Sequence, residues 1–192
     1  MKNYLILLLL AVTGCSDNSS NDAKVSATEE GKSNKQIVAN DGNSVGLFPM
    51  KAGKSTLEEV DQLGDFKKGQ VWTYKTRKGE ENSRITILRL EESPKVGGIV
   101  HIRVSGLKIP NPNEPDGFTE EAGHLPFSLK AATDSVREVE STAEVDQGYI
   151  NGYEKWRSAF DQGKAGVFTT SVSDGIGFMA GTIQQANGKP NN

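Results

Sequence analysis

Few side chains in this sequence could act as a nucleophile, a general base or a metal ligand. Cys15 is the only cysteine, and His101 and His124 are the only histidines. Neither histidine has the neighbours in sequence that a zinc site requires, and His101 is predicted to be a partly exposed sheet residue. The adjacent Glu80 and Glu81 fall in a short turn, where we expect solvated carboxylates paired with arginines. The residues therefore predict no catalytic group, no metal and no cofactor.

Cys15 ends a segment with the pattern of a secretion signal, MKNYLILLLLAVTGC. Lys2 supplies a positive charge, the apolar run 4–12 follows it, and small residues precede the cysteine. The run is too short to span a bilayer, which takes about 20 residues. With no second cysteine for a disulfide, an unpaired thiol would be a liability outside the cytoplasm.

The segment resembles the lipobox signal of bacterial lipoproteins. The resemblance implies cleavage after Gly14, a diacylglyceryl thioether on Cys15, and acylation such as palmitate on the new amino terminus. The lipid bilayer would then be a partner through acylated Cys15, and no thiol would remain for catalysis. Ser16 follows the cysteine, and the sorting rule of enteric lipoproteins then implies the outer membrane, with the domain facing the periplasm.

Composition divides the chain into four parts. Residues 1–14 are the predicted signal peptide, 15–54 the lipidated cysteine and a polar flexible linker, 55–186 one folded domain, and 187–192 a disordered tail. The chain carries 22 basic and 25 acidic residues, a balance too mild to indicate nucleic acid as a partner.

Alternating and helical spacings predict an α+β domain, with an antiparallel sheet of about four strands packed against two or three helices. Strands are predicted at 70–77, 85–90, 99–104 and 167–172. Helical patterns occur at 56–63, from Ser128 to about Glu140, at 149–160 and from about 173. The aromatic stripe of the third, Tyr149, Tyr153, Trp156 and Phe160, is expected to pack on the sheet.

The segment 107–127 contains four prolines and predicts an ordered, extended loop outside the regular sheet. Long loops of this kind often carry function, although a purely structural connection is the alternative. The residues of the predicted partner-binding loop are Asn111, Asn113, Asp116, Phe118 and His124.

A second resemblance covers residues 66–172, which open with GQVWTYKTR and end near KAGVF. This stretch is similar to a family of small uncharacterised bacterial proteins, which implies one α+β domain and supplies no activity. The function expected is a non-enzymatic binding, inhibitor or immunity module of the cell envelope, with an envelope protein or the cell wall as partner. The alternatives are a small hydrolase using carboxylates remote in sequence, and a structural envelope component.

Overall fold

The computed structural model of the protein describes residues 56–187. The predicted signal peptide, Cys15, the whole predicted linker and all of the predicted tail except Asn187 lie outside this range, so the expectations for them stay predictions. No helix within the described range is long and apolar enough to cross a membrane.

The domain is built on a six-stranded antiparallel sheet, and the predicted α+β class is confirmed. The strands are β1 (Glu58–Glu59), β2 (Gln62–Leu63), β3 (Phe66–Lys67), β4 (Gln70–Tyr74), β5 (Arg84–Ser93), β6 (Gly97–Pro110), β7 (Phe118–Ser128) and β8 (Val136–Thr142). The sheet runs β7-β6-β5-β4-β8, β1 pairs with the end of β5, and β2 and β3 form a separate two-stranded ribbon. The helices are α1 (Leu129–Ser135), α2 (Ile150–Asp161) and α3 (Val172–Asn187), with a 3-10 turn at Gln147–Tyr149 before α2.

The two faces of the sheet carry separate hydrophobic cores. Successive residues of β6 point to opposite faces. Val100, Ile102 and Val104 therefore enter the larger core, which also contains residues of α1 and α3. Ile99 enters a smaller core with Trp156 and Phe160 of α2. The aromatic stripe thus packs on the sheet as predicted, but on the face opposite the other two helices.

The strands predicted at 85–90 and 99–104 are confirmed as parts of β5 and β6, and the strand predicted at 70–77 is present as β4 but ends at Tyr74. The helix predicted at 56–63 is wrong, because its backbone pairs with β5 through β1 and through the Val60 N–H, which donates to Leu90 O at 3.0 Å. Pairing with a preformed sheet edge outweighs a short local helix propensity.

Two further predictions are wrong in instructive ways. The helix capped by Ser128 ends at Ser135 instead of Glu140, because the β-branched segment that follows pairs with β4 as edge strand β8. The Ser128 cap itself is confirmed, since its Oγ accepts from the Ala131 N–H at 3.2 Å. The strand predicted at 167–172 is reduced to one isolated bridge between Phe168 and Phe127.

The loop predicted at 107–127 is mostly sheet. Its two ends belong to β6 and β7, which pair from Pro110↔Phe118 inward, and only residues 111–117 connect them. Pro110 is accommodated as the last residue of β6, and Pro126 lies in β7, which is at the edge of the sheet order.

Candidate functional site

A bulge in β5 turns a glutamate from one face of the sheet to the other. Ile87 pairs with Ile102, and the next pair is Arg89 with His101, so β5 contains one extra residue, Leu88, at this point. Strict alternation would direct Glu91 into the main core together with Ile87. The bulge instead places Glu91 on the smaller-core face, beside His101. It also moves Leu90 into the main core, where alternation from Ile87 would not put it.

A second bulge does the same for a histidine of β7. Leu125 pairs with Ile102 and Ala122 with Val104, so three steps along β7 match two steps along β6. Ala122 and Leu125 both enter the main core. The extra residue between them turns His124 to the opposite face, next to His101. Bulges commonly re-aim a side chain in this way.

The two bulges create a row of three hydrogen-bonded side chains, here called the Glu–His–His line: Glu91, His101 and His124. Oε2 of Glu91 lies 3.1 Å from Nε2 of His101, and Nδ1 of His101 lies 2.9 Å from Nε2 of His124. Glu91 and His101 are completely buried, and His124 is half-buried. The prediction that His101 is partly exposed is therefore wrong, because α2 covers it.

The two imidazole rings are nearly parallel, at 17°, with centroids 5.1 Å apart. Since the facing nitrogens are only 2.9 Å apart, the rings lie edge to edge and are not stacked face to face. An ionised Glu91 can only accept, so His101 Nε2 carries a proton and its Nδ1 is an acceptor in the neutral ring. Nε2 of His124 must then donate. By this assignment Nδ1 of His124 is the free acceptor at the outer end of the line.

Glu91 remains charged although it is buried. Burial alone would raise its pKa, but hydrogen bonds from His101, Tyr153 and Arg89 outweigh burial and lower the pKa to about 2. The Tyr153 hydroxyl donates to Oε1 at 2.6 Å, and Arg89 Nε donates to the same oxygen at 2.8 Å. Arg157 lies farther away, with NH1 at 3.9 Å. A buried carboxylate with this many donors is stable as an anion.

Both histidines are neutral at pH 7. Burial lowers the pKa of His101, and the opposing attraction of Glu91 only partly offsets it. Burial also lowers the pKa of His124 well below its usual range, and neighbouring His101 lowers it further. Nδ1 of His124 makes no hydrogen bond to residues 56–187 and is not among their fully buried unsatisfied atoms. It therefore reaches solvent.

Helix α2 covers the Glu–His–His line on the smaller-core face of the sheet. Trp156 meets the His101 ring edge-on, with centroids 4.8 Å apart, and its Nε1 donates to Gly166 O at 2.8 Å. Gly152 lies directly against His124, so that a Cβ at this position would be 3.1 Å from the His124 Cβ. The absence of a side chain at Gly152 lets the first turn of α2 approach the sheet.

The geometry of the line is that of a hydrogen-bond chain and differs from that of a metal site. Two ligands of one metal ion point toward a shared third position, whereas the facing nitrogens of His101 and His124 point at each other. Glu91 bonds the other ring nitrogen of His101. Within the described range no three His, Cys, Asp or Glu side chains are arranged to hold a metal ion.

The predicted solvated turn contains one buried acid. Glu80 is 3% exposed, and Arg77 donates to it through two nitrogens while the Lys108 N–H donates at 2.8 Å. Burial would raise the pKa of Glu80, but these bonds lower it overall. The prediction of a solvated Glu80 is thus wrong, whereas its pairing with arginine is confirmed. Glu81 is exposed, as predicted, and accepts from the Gly79 N–H at 2.8 Å.

Of the predicted partner-binding residues, Asn111 and Asn113 hold the loop together. Asn111 is buried, its Nδ2 donates to Thr119 Oγ1 at 2.9 Å, and its Oδ1 accepts from Asn187 Nδ2 at 3.2 Å. Asn113 Nδ2 donates to Asn187 Oδ1 at 2.6 Å. These bonds fasten the 111–117 connection to the end of α3. The side chain of Asn111 is thus used internally, and a partner-contact role for Asn111 stays a prediction.

Asp116 and Phe118 are exposed, and Phe118 exposes 46% of its surface. Phe118 and Val139 are the large apolar side chains that the described residues leave exposed. His124 lies six residues farther along β7, about 20 Å away at the rise of a strand. The structure thus divides the predicted set into a loop surface containing Asp116 and Phe118, and His124, which belongs to the Glu–His–His line.

The sequence pattern missed Glu91 altogether. The available signal was a glutamate directly after the apolar strand predicted at 85–90, next to the strand predicted at 99–104, which contains His101. Comparisons with protein-family models, with curated proteins and with solved structures found no match to this chain.

Proposed function

We propose that this protein is a lipid-anchored, non-enzymatic binding module of the bacterial cell envelope. In this proposal Cys15 holds it in the outer membrane, facing the periplasm. The domain contacts an envelope protein or a cell-wall partner, and an inhibitor or immunity protein is one form of such a module. The observation that carries the binding part is the exposed Phe118, the first residue of β7, directly after the hydrogen-bonded connection 111–117.

Preorganisation is the physical reason to favour this surface. Backbone bonds within the connection run from Asn111 N to Gly117 O at 2.8 Å and from Glu114 N to Asn111 O at 3.1 Å. The asparagine bonds to α3 add a second attachment. A loop already ordered before binding loses little conformational entropy in a complex, and an aromatic side chain is a common anchor of binding energy.

The buried acids support a non-enzymatic reading over a carboxylate hydrolase. Such an enzyme needs one acid with a raised pKa to donate a proton. The buried Glu80 and Glu91 both have lowered pKa values, because hydrogen bonds outweigh the effect of burial: Glu91 accepts from His101, Tyr153 and Arg89, and Glu80 accepts from Arg77 and the Lys108 N–H.

The anchor is tested by metabolic labelling with a palmitate analogue and by mass spectrometry of the mature amino terminus. We expect label on the wild-type protein and none on Cys15→Ala. An uncleaved leader, or an unmodified cysteine in the mature chain, would refute the lipoprotein part of the proposal.

The binding surface is tested by photocrosslinking in cells, with a photoreactive residue at Phe118. The matched control position is Lys130, whose side chain is 84% exposed and lies on α1 away from the loop. We expect one discrete crosslinked product from position 118 and none from position 130. The same product from both positions, or none from either, would reject the loop as the contact surface. Deletion of the loop is a poor substitute, because residues from Phe118 onward belong to β7.

A further inference from the structure

Helix α2 packs on a core of its own. The smaller cluster consists of Ile99, Trp156, Ala159, Phe160, Ala165 and Val167. None of these residues belongs to the main cluster, which contains residues of α1 and α3. Segments with their own small core can open while the rest of a domain stays folded. Helix α2 could therefore leave the sheet without exposing the main core.

The Glu–His–His line is the polar part of the same contact. Tyr153 of α2 donates to Glu91 at 2.6 Å, and Trp156 packs edge-on against His101. Arg89 lies 4.7 Å from the centroid of the Tyr153 ring, on the side of the sheet. A change in the charge or position of the histidines would thus act directly on the contacts of α2.

Each arginine near the line already has a carboxylate partner. Arg89 pairs with Glu59 and Glu91, Arg103 with Asp146 and Glu121, and Arg157 with Asp161. The groups that surround the two histidines come from β1, β5, β6, β7 and the α2 region: Glu59, Arg89, Glu91, Arg103, Glu121, Asp146, Tyr149, Tyr153, Arg157 and Asp161. Among the carboxylates of the described residues, only Glu91 is hydrogen-bonded to either histidine.

Proton counting shows what acid does to this arrangement. The hydrogen bond between His101 Nδ1 and His124 Nε2 requires that one of the two nitrogens lacks a proton. A first added proton can bind to the solvent-reaching Nδ1 of His124. The negative charge of Glu91, which is hydrogen-bonded to His124 by way of His101, can stabilise the added positive charge. A second proton would have to go to His101 Nδ1, where it would face the N–H of His124. The native geometry therefore accepts one added proton and excludes two.

We propose that the Glu–His–His line is an acid-sensitive latch for α2: when both histidines are protonated, their mutual hydrogen bond is lost and α2 separates from the sheet while the main core remains folded. In the separated state both rings are in water and can each take up a proton. Acid therefore favours the open state by mass action.

The direction of the pH dependence follows from the folded-state pKa values. Both histidines have lowered pKa values in the closed state, so the open state binds more protons once the pH falls below the ordinary value of about 6.5. The contact between α2 and the sheet therefore has its full stability above this pH and loses stability as the pH decreases below it. The opening equilibrium changes about tenfold per pH unit for each proton taken up.

The test is hydrogen exchange measured by mass spectrometry on the full-length mature protein in detergent, from pH 7.5 to pH 5. Rates are corrected for the intrinsic pH dependence of amide exchange. We expect peptides from α2 to exchange at least tenfold faster at pH 5 than at pH 7.5, while peptides from α3 keep their protection. Equal loss of protection in α2 and α3 would mean global unfolding and would overturn the latch, as would unchanged protection in α2.

The matched variants separate the histidine pair from other acid effects. His124→Gln keeps an N–H that can face His101 Nδ1 but cannot take up a proton, so opening takes up one proton fewer and the pH dependence of α2 exchange should be clearly weaker than in the wild type. Lys130→Gln removes an exposed charge on α1 and should behave as wild type. A His124→Gln protein with the full wild-type pH dependence would contradict the proposal. If that variant does not fold, the comparison of α2 with α3 in the wild-type protein still decides.

Discussion

At the scale of single residues, Glu91 determines the character of the site. It is a fully buried anion that accepts from His101, Tyr153 and Arg89, three donors on three different elements. Burying a pair of opposite charges costs free energy. Removing one partner of a buried pair costs far more, because the other partner then has neither water nor an opposite charge beside it. Glu91 therefore links β5, β6 and α2 more strongly than its small size would suggest.

Truncation of Glu91 should accordingly be severe. We expect Glu91→Ala to reduce the free energy of unfolding by about 3–5 kcal/mol, because Arg89 and the His101 N–H lose their buried acceptor. Glu144→Ala, at an exposed position in the connection before α2, should change it by no more than about 0.5 kcal/mol. Urea denaturation at pH 7 measures both. Equal stabilities for the two variants would show that Glu91 contributes no more than a surface acid.

Residue types alone could reveal only part of this site. The two histidines are conspicuous because the chain has no others, yet they are 23 positions apart and no spacing rule connects them. Glu91 was hidden among many surface glutamates. Its burial depends on the strand beside it, which is a tertiary fact.

At the scale of elements, local pattern predicted the helices with strong apolar stripes and the strands that alternate regularly. Helix α2 follows from its aromatic spacing, and α3 follows from Ile176, Met179 and Ile183, all of which are buried. The wrong predictions concern segments whose secondary structure depends on a strand that is distant in sequence. Val136–Thr142 is a strand because β4 offers an open edge, and 118–128 is a strand despite Pro126 because β6 is long enough to pair with it.

The contact between α2 and β7 can be tested through a glycine. Gly152→Ala should destabilise the protein although alanine favours helices, because its Cβ would lie 3.1 Å from the His124 Cβ and push α2 outward. Gly177→Ala in α3 meets no atom within 4 Å and should stabilise the protein by up to about 1 kcal/mol. Thermal unfolding of both variants shows whether Gly152→Ala lowers the unfolding temperature and Gly177→Ala raises it. Stabilisation by Gly152→Ala would show that α2 does not need this close approach.

At the scale of the whole molecule, the sequence predicted the fold class but not the order of the layers. The α+β assignment needed only the presence of strands and helices, whereas the position of α2 opposite α1 and α3 depends on which face each strand residue occupies. A single bulge reverses that face for the rest of a strand. Alternation along β5 therefore predicts the wrong face of the sheet for every residue after the bulge that follows Ile87.

Two cores of unequal size should give two different responses to similar truncations. Phe127→Ala removes a fully buried ring from the main core and should cost about 3–5 kcal/mol of global stability. Phe160→Ala empties part of the smaller core and should loosen α2 first. Hydrogen exchange of α2 and α3 peptides at pH 7.5 distinguishes them. Simultaneous loosening of both helices by Phe160→Ala would show one cooperative unit instead of two.

The two bulges let each strand contain one extra residue without changing the face of the residues on either side of it. Removing Leu88 would leave Glu91 on the face opposite Ile87 by simple alternation, and removing Gly123 would leave His124 on the face opposite Ala122. In evolutionary terms, a one-codon deletion at either bulge is therefore compatible with the site. A sequence comparison that allows no gap at these two positions would misalign the three side chains in a protein that lacks a bulge and still has the site.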